Sequence, residues 1–207
     1  MSVISANNAV AHRVGSPAAF EAGVTVWFTG LPSAGKSTVA DALAERLNAA
    51  GHRVQVLDGD QVRPHLSSEL GYSKEARDLN VARIGWVARL LASHGVVVLV
   101  PVIAPYAAAR DAVRADHDAS GVLFREVYVA TPLAVAESRD VKGLYARARR
   151  GEITGMTGID DPYEPPRSPE LVLDTDEVDL EVAVRAVQSH LEALLGHGTP
   201  DERRELA

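Results

Sequence analysis

The sequence predicts an α/β fold, a parallel β-sheet with helices on both faces. The first reason is that short apolar β-rich runs alternate with helical stretches along most of the chain. The second is Val96–Val102, an almost wholly apolar run of the kind expected for a strand buried on both sides. The third is the segment that follows the first apolar run, Val24–Thr29. It reads Gly30-Leu31-Pro32-Ser33-Ala34-Gly35-Lys36-Ser37 and fits the phosphate-binding pattern G-x-x-x-x-G-K-[ST]. Val39, Ala42, Leu43, Ala44 and Leu47 then recur at helical spacing, which gives the motif its required setting of strand, loop and helix. The expected class is a P-loop NTPase fold.

That motif carries the first candidate site. Gly30 and Gly35 permit backbone angles closed to other residues and let the main chain approach a ligand. The amides of the Gly30–Thr38 stretch are expected to converge on phosphate oxygens, helped by the positive end of the helix. Lys36 is expected at the β- and γ-phosphates and Ser37 on Mg²⁺.

The remaining elements follow in order. Met1–Gly23 has no strong period and reads as a loose leader, with a short helix near Pro17–Ala22. Gly51 ends the first helix. Val54–Leu57 is a second strand that delivers Asp58-Gly59-Asp60 at its carboxyl end, the edge where open parallel sheets bind ligands. Gln61–Leu70 reads as a helix broken at Pro64. Ser73 is a plausible cap for a long helix over Lys74–His94. Ala107–Ala119 is helical and Leu123–Val129 a strand. Thr131 then caps a helix that begins at Pro132. Between 138 and 168, arginines, glycines and prolines concentrate, and this segment reads as a mobile lid over the domain. Leu171–Leu173 is a last strand and Leu180–Leu195 a closing amphipathic helix. The P-loop domain is thus expected to span 24–195, with the lid at about 138–168, and 196–207 to form a flexible tail.

Composition narrows the function. The 207 residues suffice for one α/β domain. A formal net charge of −7 argues against a nucleic-acid-coating protein. There is no cysteine, which excludes disulfides, thiolate catalysis and zinc–cysteine sites and fits a cytoplasmic home. No apolar run reaches membrane-spanning length, and the N-terminus lacks the pattern of a secretory signal.

A P-loop alone does not separate kinases from GTPases or motor ATPases. No Asn/Thr-Lys-x-Asp guanine signature occurs. Small size, the arginine-rich segment and Asp58-Gly59-Asp60 favour a small-molecule kinase. The sequence resembles the adenylylsulfate kinase family over about Val24–Leu173. The resemblance rests on the P-loop, on Leu57-Asp58-Gly59-Asp60-Gln61-Val62-Arg63 and on Gly71-Tyr72-Ser73-Lys74-Glu75-Ala76-Arg77-Asp78-Leu79-Asn80. Within the 138–168 segment it rests on Arg139-Asp140-Val141-Lys142-Gly143-Leu144-Tyr145 and Gly158-Ile159-Asp160-Asp161-Pro162-Tyr163-Glu164-Pro165-Pro166.

The resemblance implies transfer of the γ-phosphoryl of ATP to the 3′-hydroxyl of adenosine 5′-phosphosulfate, with magnesium, in sulfate activation. It also implies a homodimer and functional coupling to an ATP sulfurylase. Asp60 is expected to accept or orient the 3′-hydroxyl proton, and Asp58 to hold magnesium through water or to fix its loop. Arg63 and Arg77 resemble the family's anion-binding arginines, whose forks suit oxyanions. Asn80 resembles its acceptor-binding asparagine. Tyr72 is expected to stack on adenine, Ile103 and Leu144 to wall the acceptor pocket, and Lys142 to neutralise transferred charge.

Two positions depart from the family. Ala104 stands where serine is common, so no phosphoserine can form there. Met156 stands where phenylalanine is common and is expected to pack on adenine. The alternatives are a nucleotide-binding regulatory module with weak turnover, or a kinase for another small hydroxyl compound.

Overall fold

The computed structural model describes residues 23–195, with the Leu195 side chain left out. Apart from Gly23, the expected leader lies outside these residues, as does the expected tail.

Five parallel strands form one sheet: β1 (Val24–Thr29), β2 (Val54–Val56), β3 (Val97–Pro101), β4 (Leu123–Val129) and β5 (Leu171–Leu173), in the order β2-β3-β1-β4-β5. β1 is central, paired with β3 from Val24↔Val97 and with β4 from Val24↔Leu123. Because the sheet is parallel, every strand delivers its carboxyl end to one edge. The chain crosses to opposite sides of β1 before β2 and after β3, so the loop after β1 opens at the switch point.

Strand alternation sorts the core into two layers. Val24, Val26 and Phe28 face one way with Val97, Leu99, Val127 and Val129. They pack under α1 (Lys36–Ala49) and the C-terminal helix over Leu180–Leu195. Trp27, Val98, Val100 and Phe124 face the other way, under a pair of helices: the long helix over Lys74–Ala92 and the helix over Ala107–Ala119. These two helices approach closely at Gly85, where a Cβ would lie 2.7 Å from a Val113 methyl.

The second helix in order, α2, spans Gly59–Leu66, and the long helix Lys74–Ala92 is therefore α3. Pro64 does not break α2. The one carbonyl it leaves without an amide is that of Asp60, on an exposed residue that water can serve. Ser73 does cap α3, accepting the Ala76 amide at 3.2 Å.

The helix Ala107–Ala119 is α4. The next, α5, is Leu133–Arg139, with Pro132 rather than Thr131 at its cap position. Thr131 is drawn elsewhere, and its hydroxyl donates to the Ala34 carbonyl at 3.1 Å.

The 138–168 segment carries regular structure. It contains α6 (Leu144–Arg149), entered through Gly143 at φ 65°, with Asp140 accepting the Tyr145 and Ala146 amides at 3.0 and 2.9 Å. Tyr145, Met156 and Ala136 form a small core of their own, joined by Leu31, Leu133, Leu144 and Ile159. The closing helix Leu180–Leu195 is α7.

Candidate active site

The loop from Gly30 to Gly35 wraps the N-terminus of α1. Gly30 (φ 153°) and Gly35 (φ 97°) hold backbone angles that favour glycine, and a Cβ on Gly30 would lie 2.5 Å from the Val129 carbonyl. The buried Lys36 ammonium donates to the carbonyls of Gly30 (3.0 Å) and Leu31 (2.6 Å). Burial pushes its pKa down to about 7, against the opposing pull of Asp58 and Asp60. Asp58, Asp60 and Lys142 therefore all lie within electrostatic reach of Lys36.

The far wall of the loop is held by two threonines. Thr131 and Thr175 each donate to the Ala34 carbonyl, at 3.1 and 2.9 Å, and stand 2.6 Å from one another. Arg139 secures Thr175 through its hydroxyl (3.0 Å) and its carbonyl (2.7 Å). From above, the Tyr145 hydroxyl donates to the Pro32 carbonyl at 3.0 Å. Nothing in the local sequence points Thr131 or Thr175 at the phosphate loop. The one available signal is that each threonine falls two places after a strand's last residue.

Asp58 faces two ways. One oxygen accepts the Ser37 hydroxyl at 2.6 Å and the other caps α2 through the Asp60 amide at 2.9 Å. This carboxylate thus caps α2 and meets the Ser37 hydroxyl at the same time. Asp60 sits in the first turn of α2, 75% exposed, and pairs with Lys142 from the 138–168 segment. Gly59 packs against the end of β3, where a Cβ would lie 3.2 Å from Val102. That contact sets the carboxylates beside the loop carrying Ile103.

Tyr72 is 65% exposed and lies between two guanidinium groups, Arg63 at 4.4 Å and Arg77 at 5.6 Å from its ring centroid. Arg63 donates to the carbonyls of Leu70 (3.2 Å) and Gly71 (2.6 Å). Arg77 donates to the Tyr72 carbonyl (2.9 Å), the Thr157 hydroxyl (3.3 Å) and the Gly155 carbonyl, so α3 meets the 138–168 segment through it. One turn on, the Asn80 side-chain oxygen is buried without a hydrogen-bond partner, as is one oxygen of Asp78. An acceptor atom held this way is available to a ligand donor.

The structure brings together Lys36, Ser37, Asp58, Asp60 and Lys142, and separately Arg63, Tyr72 and Arg77, with Asn80 three residues after Arg77 on α3. Met156 lies at the edge of the small core. It is only 7% exposed and packs with Tyr145 and Ala136 rather than facing the open side. An unbranched thioether fills that irregular gap without strain. Leu144 also packs on that small core, while Ile103 is half-buried beside β3. Arg149 forms an exposed pair with Glu137 at 2.8 Å and takes no part in the cluster.

A glycine loop closed on its own lysine, at the carboxyl edge of a parallel sheet and faced by carboxylates, suits a nucleoside triphosphate. The fold and site define a P-loop nucleotide-binding enzyme. A family model for adenylylsulphate kinase matches residues 22–174, and the chain belongs to that family. The adenylyl-sulfate kinase of a Picosynechococcus species is 53% identical over 178 residues, covering 86% of this chain and 98% of its own. Among solved structures, the APS kinase of Mycobacterium tuberculosis in complex with AMPPNP and APS matches with a TM-score of 0.80. It is 46% identical, covering 82% of this chain and 98% of that one. A hexameric APS kinase from Thiobacillus denitrificans matches with a TM-score of 0.63 at 42% identity, covering 84% of this chain and 30% of that one.

Proposed function

We propose that this protein transfers the γ-phosphoryl of ATP to the 3′-hydroxyl of adenosine 5′-phosphosulfate, giving 3′-phosphoadenosine 5′-phosphosulfate and ADP. The observation that carries the reading is that Ser37, next to Lys36, meets Asp58, Asp58 meets the Asp60 amide and Asp60 meets Lys142, in a chain of this family. The loop amides and Lys36 hold the β- and γ-phosphates; Lys36 exchanges the carbonyls of Gly30 and Leu31 for phosphate oxygens. Asp60 orients the acceptor's 3′-oxygen and takes its proton as that oxygen bonds to the γ-phosphorus and the bond to ADP breaks. Lys142 meets the charge carried by the transferred group.

Ser37 and Asp58 offer two hard oxygen donors side by side, which fits Mg²⁺. Among the described residues no group of three or more histidines or carboxylates forms a metal cage. That is in keeping with an ion completed by phosphates and water. Magnesium supplies neutralisation of phosphate charge.

Arg63 and Arg77 take the acceptor's phosphate and sulfate, Tyr72 stacks on its adenine, Asn80 accepts a donor from it, and Ile103 walls it. The 138–168 segment acts as the lid. The acceptor's chemistry calls for an enzyme that adenylylates sulfate, and the protein works beside an ATP sulfurylase. We assign a homodimer on the exposed apolar stripe Leu79, Trp86 and Leu90 of α3. Among the described residues no helix is long and apolar enough to cross a membrane. The cysteine-free chain and its ATP requirement fit the cytoplasm.

The test is incubation with Mg-ATP and adenosine 5′-phosphosulfate, following ADP and the 3′-phosphorylated product. Equal amounts of both are expected. Failure to form either while both ligands bind overturns the assignment.

A further inference from the structure

Two stretches far apart in sequence, 103–107 and 161–164, are joined beside the acceptor side of the site. The Tyr106 hydroxyl donates to Asp161 at 2.7 Å, the Glu164 amide to the Pro105 carbonyl at 2.8 Å, and the Ala107 amide to the Glu164 carboxylate at 2.7 Å. At the other end Thr29, just before the P-loop, donates to the Ile103 carbonyl at 2.6 Å and lies 3.0 Å from the Tyr163 hydroxyl.

Beneath this seam lies Arg110 of α4, which is 2% exposed. Its guanidinium uses all three nitrogens. Nε donates to Glu126 of β4 at 2.8 Å, one terminal nitrogen to the Ala104 carbonyl at 2.6 Å, and the other to the Glu164 carbonyl at 2.6 Å. A lysine's point charge cannot make three divergent bonds in one plane. Ala104 is held at φ 42°, a left-handed conformation that is strained for any residue with a Cβ. The Arg110 bond to its carbonyl is one of the contacts that fix that residue. No step of the proposed reaction uses this buried cation.

We infer that Arg110 is a positioning residue for the acceptor. It holds Ala104 in its left-handed conformation, thereby setting Ile103, and locks the returning end of the 138–168 segment to the same loop. The P-loop has braces of its own in Thr131, Thr175 and Tyr145 and meets this seam through Thr29, so the effect falls on the acceptor more than on the nucleotide. The inference rests on the placing of Ile103 in the acceptor pocket.

Arg110→Lys keeps a cation opposite Glu126 and loses the fork. The KM for adenosine 5′-phosphosulfate is expected to rise about tenfold, well inside the penalty that misplacement of a reacting group carries, with the KM for ATP rising less. Adding Ala104→Gly, which accepts φ 42° without strain, is expected to restore much of the acceptor KM. Arg110→Met with Glu126→Leu removes both buried charges together, avoids an unpaired ion, and is expected to show the same split. Hydrogen exchange gives a readout apart from turnover: the Ala107 and Glu164 amides should exchange faster in both variants while the α1 amides do not.

An acceptor KM that stays at the parent value, or that rises in step with the KM for ATP, overturns the inference. So does an acceptor KM that glycine at 104 leaves unrestored, or exchange that is unchanged at those two amides. A parent that makes no 3′-phosphorylated product counts against the reaction, and the exchange result then still decides whether the clamp exists.

Discussion

Ser37 of α1 donates its hydroxyl to Asp58, and the same carboxylate caps α2 through the Asp60 amide. Substitutions at 58 separate these two tasks. Asparagine can still cap a helix, whereas alanine cannot. Asp58→Ala is expected to lose about 1 kcal/mol of stability and Asp58→Asn little of it. Both are expected to need roughly 10–100 times more Mg²⁺ for half-maximal turnover, the usual effect of losing a group that supports a metal. Thermal melting and a magnesium titration read the two effects. A parent-like magnesium requirement in the asparagine variant would remove Asp58 from the metal.

Asp60 and Lys142 form an exposed pair, so neither carries much of the fold. Asp60→Asn is expected to cut turnover by about 10²–10⁴, the usual weight of a positioned general base, while nucleotide affinity and melting temperature survive. Lys142→Met is expected to lower turnover with the fold equally intact. Steady-state kinetics beside a nucleotide-binding titration check both, and near-parental turnover in Asp60→Asn removes it from the proton transfer.

Ala104 has no hydroxyl, and its carbonyl is occupied by Arg110. Transfer is therefore expected to run directly between the bound substrates. With γ-labelled ATP the parent should form product without labelled protein. Ala104→Ser should turn over no faster. Activity confined to the serine variant would show that a phosphorylated enzyme is required.

His117 supplies a pH dependence. It is fully buried, with Nδ1 2.8 Å from the Val113 carbonyl and Nε2 2.9 Å from the Thr25 hydroxyl. A neutral ring satisfies both, donating from Nδ1 and accepting at Nε2. Burial pushes its pKa below the ordinary 6.5, against the weaker pull of the Val113 carbonyl. The unfolded chain therefore binds the proton first. The stability that goes with the neutral ring is complete above pH 6.5 and is lost as pH falls toward the folded pKa, at up to about 1.4 kcal/mol per pH unit. Melting curves between pH 8 and 5 should fall less steeply below pH 6.5 for His117→Gln than for the parent. Parallel curves for the two proteins would show that another group sets the dependence.

Much of the catalytic edge was legible because its signals are local. A glycine loop with lysine and serine needs only its own strand and helix, and Asp58-Gly59-Asp60 announces itself at a strand end. Thr131 was misread because the Thr-Pro pair is a good local start signal, whereas the carbonyl that claims its hydroxyl belongs to Ala34, 97 residues earlier. The helix α6 was missed because its capping residue, Asp140, stands four places before the helix, beyond the usual cap spacing. For Met156, chemistry alone does not tell how a thioether divides its contacts between a ligand and Tyr145. Arg110 gave no sign at all, since one arginine on an alanine-rich helix reads as solvated until β4 brings Glu126 beneath it.

Tyr145 reaches Pro32 from within the small core that also holds Met156 and Ala136. A displacement of α6 away from the phosphate loop would therefore drag that apolar nucleus along with it. Ala136 and Leu133 share α5, so α5 would have to follow, and the apolar contact left to break is the one with Leu31 of the phosphate loop.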